Sequence, residues 1–128
     1  MSPFESIVSA ELTWLLRAGA PPRAVRLTVR ELVVDRIGRE PLGGREISDT
    51  VGSTVRAACA LVRELGASEE LVEIVCGACL DAVRGHGGES ARWVPEATST
   101  AAAVLDELIR ARAEEPNWSW LARRVERW

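Results

Sequence analysis

Three cysteines and one histidine are the residues of this chain that most readily suggest chemistry. Cys76 and Cys79 form a Cys-x-x-Cys spacing, and with Cys59 and His86 they supply the kind of ligand set that tetrahedral zinc accepts. Both sulfurs of that spacing fall in the middle of a predicted helix, among valines, where a cysteine packs as a small apolar residue. We therefore predict buried thiols and no metal, with a metal site or a reactive thiol pair as the alternative. We expect His86 to lie in a solvated, glycine-rich loop.

A single carboxylate interrupts the apolar stripe of the first predicted helix. Glu11 lies one turn from Ile7 and from Trp14, and a carboxylate on a buried face needs a partner or must be neutralised. We predict a buried charge at Glu11 that pairs with Arg30 or Arg36 of the second helix. The alternatives are a subunit interface or a ligand pocket, in which an unpaired Glu11 would be the best catalytic candidate.

The C-terminal segment carries the strongest binding signal. Trp120 shares the polar face of a predicted sixth helix with three arginines, which are Arg123, Arg124 and Arg127. The opposite, apolar face of that helix carries Trp118, Leu121, Val125 and Trp128. Because tryptophan and arginine are enriched at interface hot spots, we predict that the Trp120 patch binds a protein partner or a second copy. There are two alternatives. An arginine of the same chain could fold over Trp120 as a cation–π contact, or Trp120 could stack on single-stranded bases.

A second group of arginines lies on the predicted second helix, opposite its apolar face. Arg23, Arg26 and Arg30 form this basic stripe, which we interpret as a solvated face, with contact to an anion or a nucleic acid as the alternative. The net charge is −3, and residues 46–100 carry four arginines against nine acids. That acidic middle would repel phosphate, so nucleic acid is not the partner we expect.

Residues 45–56 resemble the helix-turn-helix of bacterial DNA-binding proteins. Gly52 stands where that motif has its turn, and a Thr-Val pair follows it, as at the start of a recognition helix. About three residues of the motif are missing after Gly52. The residues on the recognition face would be Ala57, Ala58, Cys59 and Ala60. The resemblance implies a DNA-reading role, which belongs to the first alternative function below.

The length and composition predict one soluble globular domain. The chain has 128 residues, of which 47% are hydrophobic and 27% charged, as is usual for a single domain. Helical periodicity predicts a compact all-α bundle of six helices. The start and stop signals place helix one at residues 3–18, helix two before Gly38, helix three before Gly66 and helix four between Ser68 and Arg84. We predict loops at residues 39–46 and 85–95, and a sixth helix from Asn117.

A recurring Leu-x-Arg sequence pattern suggests an internal repeat. Residues 15–20, 61–67 and 108–113 each close a helix ahead of a short turn, with spacings of 46 and 47 residues. The pattern predicts three stacked helical hairpins with a period of about 47 residues. An ordinary six-helix bundle with coincidental similarity is the alternative.

Few catalytic groups are present, so the sequence favours a non-enzymatic protein without a cofactor. Its basic residues are all arginine, which suggests a bacterial source, and there is no tyrosine. Residues 1–5 lack the features of a signal peptide, and three cysteines suit reduced thiols, so we expect a cytoplasmic protein. We predict a helical module for protein–protein interaction or self-association. The alternatives are a nucleic-acid-binding or transcription-regulatory protein using its arginines, and a metal- or thiol-dependent protein using its cysteines.

Overall fold

The computed structural model describes residues 2–39, 44–68, 70–85 and 94–111, and no strand occurs among them. The five helices are α1 (Pro3–Arg17), α2 (Pro22–Arg39), α3 (Gly44–Leu65), α4 (Glu70–Gly85) and α5 (Val94–Ala111). The predicted all-α class is confirmed. The predicted sixth helix lies outside the described residues, so the structure describes five helices where the sequence predicts six.

The ends of α1 follow the local signals in the sequence. The Ser2 side chain accepts a hydrogen bond from the backbone N–H of Glu5 at 3.1 Å, and Pro3 occupies the first helical position, where its missing N–H costs nothing. Gly19 follows the helix with a φ of 69°, a conformation that glycine adopts without strain. The predicted start of this helix is therefore confirmed.

The turn between α3 and α4 also follows its sequence signals. Gly66 has a φ of 66° directly after Leu65, as expected for a glycine that ends a helix. The Ser68 hydroxyl then accepts a hydrogen bond from the backbone N–H of Glu70 at 3.2 Å. A glycine that ends α3 and a serine that caps α4 thus define the short turn between the two helices, as the sequence predicts.

Two predicted loops are shorter than expected. The helix α3 begins at Gly44 because Ile47 is fully buried and extends the apolar stripe of Val51 and Val55 by one turn. The helix α5 begins at Val94 and holds Pro95 in its first turn, where proline is tolerated because the first N–H groups have no helical acceptor. The loop predictions for residues 44–46 and 94–95 are wrong for these reasons, and Arg39 and Gly85, also predicted in loops, are the last residues of α2 and α4.

The helix α3 runs without interruption through the segment that resembles a helix-turn-helix. Gly52 is buried within α3, where a Cβ atom would lie 3.1 Å from Arg56 Nη1 of the same helix and at an ordinary contact distance of 3.7 Å from Thr100 Cγ2 of α5. The glycine is part of a continuous helix and makes no turn. The turn that the resemblance implies at Gly52 is absent from the described chain.

The helices pack in two rows. In one row α1 packs on α3 and α3 packs on α5, while α2 packs closely on α4 in the other row. A polar connection joins α3 to α5, because Thr100 donates to the Ser48 hydroxyl at 3.1 Å and Ser48 donates to Glu96 at 3.0 Å. The helix α3 contacts all four others and α1 lies at one end of its row.

None of the helices in the described part of the chain combines the length and the apolarity that crossing a membrane requires.

Candidate interaction surface

The helix α1 presents apolar residues on two faces. Its inner face buries Val8, Leu12 and Leu15 against the core. Ile7 and Trp14 lie on the outer face, where 52% and 67% of each residue is exposed. The sequence predicts one apolar stripe on this helix, made of Phe4, Ile7, Val8, Trp14, Leu15 and Ala18. That prediction is wrong for Ile7, Trp14 and Ala18, which are exposed, because the contact with α3 uses only one of the two faces.

Glu11 lies between these two residues on the outer face and is exposed. The prediction of a buried charge at Glu11 is therefore wrong. Of its predicted partners, Arg36 places its guanidinium over the Phe4 ring, 5.8 Å from the ring centroid, and Arg30 extends toward Gly85 of α4. Glu11 needs no partner because water solvates it.

Large exposed apolar side chains are few in the described residues. They are Ile7 and Trp14 on α1, Leu27 on α2 and Leu65 at the end of α3. Single exposed apolar residues are common in monomeric proteins, but two on one face of one helix form a patch. The outer face of α1 is the strongest candidate for an interaction surface in the described chain.

A cleft adjoins this face at the start of α1. It has a volume of about 510 Å³ and lies between α1, the end of α2 and α3. Its apolar lining is Pro3, Phe4, Ile7 and Leu32, and its charged lining is Asp35, Arg36, Glu46, Asp49 and Arg56. Across it, the Ser2 and Ser53 hydroxyls lie 3.3 Å apart. Because Ile7 belongs to both features, the cleft and the outer face of α1 form one continuous surface.

The predicted basic stripe packs along α4. All three of its arginines, Arg23, Arg26 and Arg30, are exposed. Arg26 donates to Asp81 Oδ2 from Nε at 2.9 Å and from Nη2 at 2.6 Å. The ion pair neutralises the middle of the stripe, so the structure does not present three free cations to a phosphate backbone.

The three cysteines are free and buried, as their apolar setting predicts. Burial raises the pKa of Cys59 to about 12, an effect that the nearby Arg63 charge offsets only in part. Burial also raises the pKa of Cys79 to about 12, against a lowering by a hydrogen bond with Thr54. Burial and the neighbouring Cys79 raise the pKa of Cys76 well above the usual range. All three are neutral thiols near pH 7, and thiols are poor nucleophiles and metal ligands compared with thiolates.

Other predicted site residues lie outside the described part of the chain. They are His86, Trp120, Arg123, Arg124 and Arg127. Among the described residues, no group of three or more His, Cys, Asp or Glu side chains is placed to hold a metal ion. The Trp120 patch therefore stays a prediction.

Comparisons with protein-family models, with curated proteins and with solved structures found no match for this chain.

The sequence contains a signal for the outer face that the periodicity argument missed. Val8, Leu12 and Leu15 follow the spacing of one helical stripe, whereas Ile7 and Trp14 are seven residues apart and form a second stripe beside it. A surface helix usually needs only one apolar stripe. Because the core covers only one of the two stripes of this 15-residue helix, the other stripe is left exposed.

Proposed function

We propose that the protein is a non-enzymatic helical module for protein–protein interaction or self-association, and that it docks through the outer face of α1. The observation that carries this proposal is the exposure of Trp14 on the same face as Ile7. Tryptophan is among the residues most enriched at interface hot spots, and a partner that covered this face would remove two large apolar side chains from water.

The position of α1 in the fold supports the proposal. Stacked helical repeats need a polar outer face on their terminal helix to stay soluble as single units. Here α1 ends the row of α1, α3 and α5, yet its outer face is apolar at Ile7 and Trp14. The packing of α1 on α3, of α2 on α4 and of α3 on α5 is also the packing that stacked hairpins produce, and we propose that arrangement for the chain.

The chemistry of the described residues favours this function over its alternatives. The thiols of Cys59, Cys76 and Cys79 are buried and neutral, which disfavours a thiol enzyme. The pairing of Arg26 with Asp81 removes a charge from the basic stripe, which disfavours a phosphate-binding role. Free cysteines suit a reducing compartment, and we propose that the protein works in the cytoplasm.

Sedimentation velocity of the wild type and of Trp14→Ser tests this function. We expect the wild type to associate as its concentration rises into the micromolar range and Trp14→Ser to associate at least about tenfold more weakly, as loss of a hot-spot side chain does. An association that Trp14→Ser leaves unchanged contradicts the proposed surface. The proposed function is contradicted if the wild type is monomeric and if the Trp14→Ser variant co-purifies with the same proteins as the wild type.

A further inference from the structure

One row of residues joins the outer face of α1 to the cleft. Phe4, Ile7 and Glu11 follow one another at spacings of three and four, so they lie along one side of α1. Phe4 and Ile7 line the cleft, and Glu11 continues the row toward Trp14, one turn further along the helix. The row therefore places a carboxylate beside the exposed apolar side chains, on the side of α1 that faces the cleft.

The carboxylates of this surface are unpaired within the described part of the chain. Glu46 and Asp49 are three residues apart on α3, and both line the cleft. Their side chains, like that of Glu11, make no hydrogen bond or ion pair with another described residue. The surface thus carries three negative charges that nothing in the described fold offsets.

The arginines that line the cleft already have contacts. Arg36 lies over the Phe4 ring, 5.8 Å from its centroid. Arg56 reaches away to Glu107 of α5, with 3.6 Å between Nη2 and Oε2. Arg17 is exposed in the last turn of α1, at the end of the helix opposite the cleft. The cleft end of the surface therefore combines apolar side chains with negative charge.

We propose that this surface binds a basic amphipathic helix of a partner protein. Apolar side chains of that helix pack on Ile7 and Trp14, and a lysine or arginine beside them reaches the two unpaired carboxylates of the cleft. This inference rests on the proposed function and names the chemistry of the partner. A partner with acidic residues in the same places would meet like charges, which disfavour binding.

The geometry of the face suits a helix. The row of α5, α3 and α1 is built by packing helix on helix, and a partner helix on α1 would continue it. Ile7 and Trp14 are two turns apart, or about 10 Å along the axis, so two apolar residues with the same spacing on a partner helix would meet both. This contact is short, because α1 is only about 22 Å long. We therefore expect a dissociation constant in the micromolar range that rises with salt.

Two synthetic peptides test the proposal on the full chain. Each is an alanine-based helix of about 15 residues, with leucines spaced as Ile7 and Trp14 are. The charged residues beside the leucines are lysines in one peptide and glutamates in the other. Fluorescence anisotropy of the labelled peptides measures the dissociation constants. We expect the lysine peptide to bind at least about tenfold more tightly than the glutamate peptide at low salt, with a smaller ratio at high salt.

Two double variants of the protein locate the binding. Glu46→Gln with Asp49→Asn removes the unpaired carboxylates of the cleft. Glu70→Gln with Asp106→Asn, the matched control, removes the same charge from α4 and α5, which do not pack closely on α1. We expect the first pair to weaken binding of the lysine peptide about tenfold and the control pair to change it by less than about twofold. Urea denaturation checks that both variants fold.

Equal binding of the two peptides, or an equal loss of binding in the two double variants, overturns the basic partner. If the peptides bind equally and Trp14→Ser weakens both, the proposed function stands without this inference. A lysine peptide that binds Trp14→Ser as tightly as the wild type binds elsewhere, which also overturns the inference. If neither peptide binds, the inference is overturned, and sedimentation of Trp14→Ser and the wild type decides the proposed function separately.

Discussion

The guanidinium of Arg26 on α2 occupies the space that a side chain at Gly77 on α4 would need. Three of its atoms lie 3.1–3.3 Å from the position of a Cβ atom at Gly77, and the same group reaches on to Asp81 one turn later on α4. A methyl group at Gly77 would therefore require the arginine to shift. The contact lies between α2 and α4, which pack closely.

This relationship predicts that the effect of Gly77→Ala on stability depends on Arg26. Alanine in a helix interior is more stable than glycine by about 1 kcal/mol. In the Arg26→Ala background we expect Gly77→Ala to raise the free energy of unfolding by about that amount, measured by urea denaturation. In the wild type the new methyl group displaces the guanidinium from Asp81, so the gain should be smaller by about 0.5 kcal/mol or more. The same gain in both backgrounds would refute the contact, and Arg23→Ala on the same helix provides the control background.

The buried thiols predict a loss of stability at alkaline pH. The pKa of Cys59 and of Cys79 rises from an ordinary value of 9.0 to about 12 on folding, so above pH 9 the unfolded chain loses protons that the native chain keeps. The stabilisation by these neutral thiols is complete below pH 9 and is lost between pH 9 and 12. Each cysteine should lower the free energy of unfolding by about 1.4 kcal/mol per pH unit within that window.

The composition makes this measurement unusually clean. The chain has no lysine and no tyrosine, so cysteines are the only side chains with ordinary pKa values between 8 and 12. Urea denaturation of the wild type and of Cys59→Ala at pH 8, 9, 10 and 11 measures how the free energy of unfolding depends on pH. Above pH 9 this free energy should fall less steeply in the variant, because one titrating cysteine is missing. A free energy of unfolding that stays constant from pH 9 to 11 would contradict the burial of the thiols.

The exposure of Glu11 predicts that its charge contributes little to the free energy of unfolding. We expect Glu11→Gln to change the free energy of unfolding of the monomer by less than about 0.5 kcal/mol, as is usual for surface substitutions. A decrease of about 3 kcal/mol or more in the free energy of unfolding would instead support the buried ion pair that the sequence predicts for Glu11.

The sequence predicts those parts of the fold that depend on neighbouring residues. The cap at Ser2, the stop at Gly66 and the cap at Ser68 each act within one turn of the chain, and all three lie where the sequence places them. The loop predicted at Pro95 is wrong because proline suits both a loop and the first turn of a helix. Its role depends on whether the following helix finds a surface to pack on.

The interaction surface depends on contacts between distant residues, and periodicity alone does not resolve them. The apolar residues of α1 span two stripes, and only the packing of Val8 and Leu12 against the core decides that Ile7 and Trp14 remain outside. The same packing leaves Glu11 exposed, although the sequence predicts it to be buried. The cysteines were predictable because a single stripe on α4 contains Cys76 and Cys79 together with buried valines.

The most direct test of the account compares Ile7→Ser with Leu27→Ser. Both residues are 52% exposed, both substitutions remove the same kind of apolar surface, and only Ile7 lies on the outer face of α1. Sedimentation equilibrium of the two variants and the wild type measures the dissociation constant of the proposed self-association. We predict a wild-type value for Leu27→Ser and a value at least about tenfold higher for Ile7→Ser, because the proposed contact loses one of its two large apolar side chains. Equal dissociation constants for the two variants would contradict the assignment of the outer face of α1 as the interaction surface.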